Sequence, residues 1–178
     1  MVINKKMIII IIIISFVSML LALRISGNNE VETSPEEYLE RQNAARADVG
    51  VPPLKWDVKI EKRARETADR LVQDCLNGEA DRWVPPMYGI NVAWNLGDPH
   101  FTGIDAVKGW VAEKLYYDHI TNSCIRGKNC DCYTQIVWGE STRVGCARAC
   151  CKKGCTIVVC LYYPLGNVLG ERPFYLLH

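Results

Sequence analysis

The sequence predicts an α+β domain held together by disulfides, and three observations carry that prediction. Three segments with helical spacing, the first capped at Ser34, lie between Ser34 and about Lys114. Three β-rich runs follow, at 133–138, 143–151 and 155–163. Nine cysteines, all between Cys75 and Cys160, are too dense for a typical cytosolic protein and point to an oxidising compartment. The count is odd, so at least one thiol lacks an internal partner. A length of 178 residues suits one domain with a sizeable core. At 49% hydrophobic and 23% charged, the chain is neither a disordered polyampholyte nor a multi-span membrane protein.

Residues 7–23 read MIIIIIIISFVSMLLAL, preceded by Lys5 and Lys6 and followed by Ser26, Gly27 and Asn28. A basic start and an apolar stretch are the anatomy of a secretory signal, which assigns residues 1–27 to a signal peptide. The alternative is an uncleaved anchor, because 17 residues reach the lower limit of a membrane span. In both cases the two lysines hold the N-terminus cytoplasmic and the rest is exported. Residues 28–33 form a short linker, and 34–178 form one domain with a C-terminal extension. Of the 21 Lys and Arg, Lys5, Lys6 and Arg24 flank the apolar stretch, which leaves 18 against 20 acids. No basic surplus remains for a nucleic-acid partner.

The first helix starts at Ser34-Pro35-Glu36-Glu37. Ser34 caps, Pro35 suits a position that needs no amide donor, and Glu37 closes a capping box. Gly50 and Pro52-Pro53 end it near Val49. A second helix follows Trp56-Asp57, with Ile60, Ala64, Ala68, Leu71 and Cys75 on one stripe and the charges of KIEKRARETADR outward. From Leu76 to Pro99 the density of Gly, Pro, Asn and Asp predicts a long loop. A third helix begins near Thr102 and carries Glu113 beyond Trp110. YTQIVW, RVGCARACC and CTIVVCLYY read as strands, the last two joined through Lys152-Lys153-Gly154 as a three-residue hairpin loop. Opposed residues then have numbers summing to 306, which sets Cys146 against Cys160 and Cys151 against Cys155.

The segments YLERQNAARADVGVPPLKWD (38–57), FTGIDAVKGWVAEKLYYD (101–118), CYTQIVWGESTRVGCARA (132–149) and YPLGNVLGERPF (163–174) resemble the plant pathogenesis-related branch of the CAP superfamily of cysteine-rich secretory proteins. The resemblance implies an α-β-α sandwich with an antiparallel sheet between helices. By position it implies bridges Cys75–Cys151, Cys124–Cys130 and Cys146–Cys160, the last in agreement with the hairpin count. Cys132, Cys150 and Cys155 lie outside that set, and Cys151–Cys155 competes with Cys75–Cys151. Zinc at Cys130-x-Cys132 is the other use of such cysteines, disfavoured for an exported chain without ligand spacing.

Many CAP proteins carry two histidines and two glutamates in a central cleft, a set able to hold a divalent metal. Matched residue by residue, Ile90 stands in PPMYGINV where the family has its first Glu, Trp83 falls near the first His, Glu113 keeps the second Glu, and Cys132 replaces the second His. No metal, cofactor or catalytic residue is therefore expected. Glu113 reads as a structural acceptor, and a Cys132–His119 nucleophile pair is the remaining catalytic alternative.

The resemblance implies a secreted, non-enzymatic defence protein, monomeric, acting by sterol or lipid binding or as precursor of a C-terminal signalling peptide with a cell-surface receptor. The alternatives are a metal-dependent hydrolase in the cleft and a membrane-tethered interaction module. The family's sterol segment falls on Gln135, Ile136, Val137 and Trp138, residues that a plain strand also explains. Peptide release would fall between Tyr163 and Pro164, where the usual preceding residues are changed. Turns at Gly166, Asn167 and Gly170 that pack the chain end on the sheet are the alternative for that segment.

Overall fold

Helix α1, Pro35–Ala47, starts where Ser34 Oγ accepts from the Glu37 amide (3.3 Å) and Glu37 returns a bond to the Ser34 amide (2.8 Å). The computed structural model describes residues 32–73, 85–98, 100–150 and 154–175, all within one unit that begins at Glu32. The signal segment lies outside the described residues, as do the linker up to Val31, Cys75, Trp83 and Cys151.

The elements that follow are β1 (Lys55–Trp56), α2 (Val58–Gln73), β2 (Gly89–Leu96), α3 (Gly103–Ala112), a 3-10 turn (Glu113–Tyr116), β3 (Tyr117–Asp118), β4 (Ser123–Cys124), α4 (Asp131–Ile136), β5 (Arg143–Cys150) and β6 (Cys155–Tyr163). The main sheet has the order β1-β5-β6-β2 and is antiparallel except for the short β1–β5 pair. β5 and β6 pair from Arg143–Tyr163 to Cys150–Thr156, in the register counted from the sequence.

Two expectations are corrected. Gly89–Leu96 is a strand, not loop: it pairs along its whole length with β6, and buried Asn91 and half-buried Val92 fill positions that composition alone reads as loop. The run 133–138 is not a strand either, since Asp131–Ile136 is helical. A short apolar run buried all round carries no period to separate strand from helix.

The sheet is covered on both faces. Ile60, Ala64, Ala68 and Leu71 of α2 pack on Ala147, Ile157, Val159 and Leu161. Gly145 permits this approach, because a Cβ there would lie 2.1 Å from the Glu61 backbone nitrogen. On the other face α1, α3 and α4 enclose Val144, Val158, Cys160 and Tyr162. The result is an α-β-α sandwich. Cys146–Cys160 bridges β5 and β6, and Cys124–Cys130 closes the loop before α4. The choice between Cys75–Cys151 and Cys151–Cys155 falls outside the described residues.

Candidate functional site

The N-terminus of α4 meets the end of α3 beside β2. Glu113 Oε2 accepts from the amides of Cys132 (2.9 Å) and Tyr133 (3.2 Å), so the carboxylate takes the place of a missing side-chain cap on α4. Burial raises the Glu113 carboxyl above its ordinary value, against the lowering effect of those two amide bonds. Burial, followed by the neighbouring Glu113 charge, pushes the Cys132 thiol up to about 12. The thiol is therefore neutral at physiological pH and a poor nucleophile or ligand.

Of the four positions matched to the family cleft, Glu113 and Cys132 are brought together. Ile90 is not, since it packs with the α2-side cluster on the opposite face from its neighbour Asn91. Trp83 lies outside the described residues. The partner of His119 is Phe174: its ring stacks on Phe174 at 4.8 Å, and Nε2 bonds the Phe174 carbonyl. Cys130 shares a disulfide with Cys124, so the cluster these two form with Asp131 offers no thiolate to zinc. Gln135, Ile136, Val137 and Trp138 are all buried, the first inside and the others as core. Their side chains face the protein.

A polar chain beneath the cleft escaped sequence reading. Asn91 donates to the Cys132 carbonyl (2.9 Å) and to the Tyr162 hydroxyl (3.2 Å), and that hydroxyl donates to Gln42 Oε1 (2.7 Å). Fully buried Arg46 donates to the carbonyls of Pro52, Ile136, Trp138 and Ser141 at 2.6–2.8 Å, and its burial lowers the guanidinium to about 10. The signal was present: Tyr38, Gln42 and Arg46 recur every four residues, which puts them on one inward face of α1.

Between α1 and α3 runs a groove of about 370 Å³, floored by Ala44, Ala45, Val111 and Ala112 and edged by Arg41 and Lys108. The Asp48–Lys114 ion pair (3.0 Å) joins the same two helical regions. On the far side the C-terminal segment is fastened down. Tyr163 and Pro164 carbonyls accept from the Thr142 amide (2.9 Å) and Ser141 Oγ (2.8 Å), and the Gly166 amide donates to Gln135 Oε1 (3.0 Å). Phe174 is buried in the core, and the Gly139 amide bonds the Pro173 carbonyl (2.7 Å).

A family model of CAP, the cysteine-rich secretory protein family, matches residues 39–162. The chain belongs to the CAP family. Among curated CAP relatives, pathogenesis-related protein 1C of Nicotiana tabacum is 45% identical over 157 residues, covering 88% of this chain and 90% of the relative. Pathogenesis-related protein 1 of Arabidopsis thaliana is 38% identical over 162 residues, covering 91% and 94%. The solved CAP fold of Schistosoma mansoni venom allergen-like protein 4 superposes with a TM-score of 0.62 at 25% identity, over 82% of this chain and 97% of the other. BmVAL-1 superposes with a TM-score of 0.65 at 23% identity, over 85% and 86%, which supports the fold alone.

Proposed function

We propose that this chain is an exported, non-enzymatic defence protein of the pathogenesis-related CAP branch that binds a sterol or other lipid. The observation that carries the ligand is the groove between α1 and α3. Its floor is apolar, its rim holds Arg41, Lys108 and Asp48, and an amphiphile with an apolar body and polar head matches that division. The names of the plant relatives support the defence role. The absence of enzymatic activity rests on the cleft, where the one retained carboxylate serves two backbone amides and the adjacent thiol is neutral.

Export rests on the N-terminal signal pattern and on the two disulfides among the described residues. Sterol and fatty-acid binding to the purified, oxidised protein tests the ligand, with Ala44→Glu and Ala112→Glu as variants. Both positions are exposed, so a carboxylate there alters the groove and leaves the core intact. Wild-type binding that weakens about tenfold or more in the variants is expected. Wild-type protein that binds neither probe, or variants that bind equally well, would discard the groove as the site.

A further inference from the structure

The far end of the C-terminal segment is held from two sides. On one side is the β3–β4 hairpin: Asn122 Nδ2 donates to the Glu171 carbonyl (2.9 Å), Arg172 donates to the carbonyls of His119 and Ile120, and the Phe174 ring meets those of His119 and Tyr117. On the other side is α4, where Asn167 Nδ2 donates to the Asp131 carbonyl (2.9 Å) and Thr134 Oγ1 donates to Asn167 Oδ1 (2.8 Å). The segment therefore stays down only while hairpin and helix keep their relative place.

The hairpin has little of its own to keep that place. Its strands pair only Tyr117 with Cys124 and Asp118 with Ser123, apart from the main sheet, and a ribbon of that size is marginal in water. Residues 125–129, which lead on to α4, are exposed. The covalent tie between the two bodies is the Cys124–Cys130 bridge, which joins the end of β4 to the residue that precedes α4. This bridge shares a cavity of about 220 Å³ with Val168, Leu169 and Gly170 of the segment, and Cys124 is half-buried. Cys146 and Cys160, by contrast, are 2% and 0% exposed within the sheet, so a reductant meets Cys124 first.

We propose that the Cys124–Cys130 bridge is a redox latch on the C-terminal segment, opened by a dithiol. A thiolate of the reductant attacks Cys124 Sγ, the S–S bond breaks, and Cys130 leaves as a thiolate that takes up a proton. The second thiol of the reductant then attacks the mixed disulfide, so that Cys124 leaves in the same way and the reductant departs as its own disulfide. The protein gains two electrons and two protons, and the dithiol loses them. The freed hairpin frays, and Asn122, His119 and the carbonyls that hold Arg172 go with it. The segment lifts while Cys146–Cys160 keeps β5 and β6 together. None of the groups involved lines the groove between α1 and α3, so latch and lipid binding can fail separately.

Dithiothreitol added to the full, oxidised protein under native conditions, followed by N-ethylmaleimide and peptide mapping, tests the first half. Cys124 and Cys130 should be labelled at least about tenfold sooner than Cys146 and Cys160. The Gly139 amide, which donates to the Pro173 carbonyl, reports the second half by hydrogen exchange. Its exchange should quicken about tenfold or more on reduction, with the amides of β5 and β6 still protected, and slow again on reoxidation. The double variant Cys124→Ser, Cys130→Ser should exchange Gly139 quickly with no reductant, and thermal melting checks its fold; the wild-type measurement stands alone if that variant does not fold. Both bridges opening together, a Gly139 amide unmoved by reduction, or exchange that quickens equally in β5 and β6 would each overturn the latch.

Discussion

Glu113 holds the first turn of α4 through the amide of Cys132, at 2.9 Å, across 19 residues of chain. The bond explains how a helix of six residues forms from a run rich in β-branched and aromatic side chains: its free N-terminal donors are met by a carboxylate from elsewhere.

Replacing Glu113 by Ala should therefore cost about 1–2 kcal/mol, as loss of a helix cap does, while Gln retains an acceptor and costs less. Urea unfolding of the two variants checks this. The pH sign follows from the raised carboxyl. Its contribution is fully present below the ordinary carboxylate value and is lost as pH rises through the higher folded value. Wild type should lose stability over that window relative to Glu113→Gln, and parallel curves would show that Glu113 does not titrate as described.

Cys132 and Cys150 should differ sharply towards an alkylating reagent. The Cys132 thiol is half-buried and pushed up to about 12, whereas Cys150 is exposed on the end of β5. Native-state iodoacetamide labelling at pH 8, read by mass spectrometry, should modify Cys150 at least about tenfold faster. Equal rates would mean that the cleft opens readily.

Arg46 should be among the least replaceable residues. Substitution by Met fills much of the volume but leaves the carbonyls of Pro52, Ile136, Trp138 and Ser141 without their donor. A loss of about 3–5 kcal/mol is expected, enough to reduce the yield of exported protein. Denaturant midpoints of whatever folds provide the measurement, and a loss under about 1 kcal/mol would assign those carbonyls other donors.

Release of a peptide at Tyr163–Pro164 should be slow from the folded protein. Hydrogen bonds hold the carbonyls on both sides of that bond, and a protease must wait for local opening to read an extended segment. Gly166→Ala should hasten cleavage, because its Cβ would lie 2.6 Å from Trp138 Cγ and 2.8 Å from Gln135 Nε2. Mass spectrometry after limited proteolysis should find intact wild type and a fragment beginning at Pro164 in the variant. A prominent wild-type fragment would contradict the fastening.

Much of the architecture was legible before any coordinates. The cap at Ser34 is local, since it bonds an amide three residues on, and the helix start expected near Thr102 proves to be capped in the same way. The hairpin register is local too, because a three-residue loop leaves one alignment, and it placed Cys146 beside Cys160. The stripe of Ile60, Ala64, Ala68 and Leu71 marked the buried face of α2. β2 was not legible, because a strand rich in Gly and Asn is stabilised by its β6 partner and by Asn91 reaching Cys132 and Tyr162. Nor was α4, whose cap comes from Glu113.

The sequence alone determined the helix starts, the final hairpin, the resemblance to the CAP family and the loss of donor atoms at Ile90. Each depends on residue type and short spacing, which chain connectivity imposes. The tertiary structure decided that Glu113 serves a helix, that Arg46 satisfies four carbonyls, and that Gln135–Trp138 faces inward. These groups lie tens of residues apart in the chain. Their polar atoms find partners only when packing excludes water, and no local pattern records which distant partner that will be.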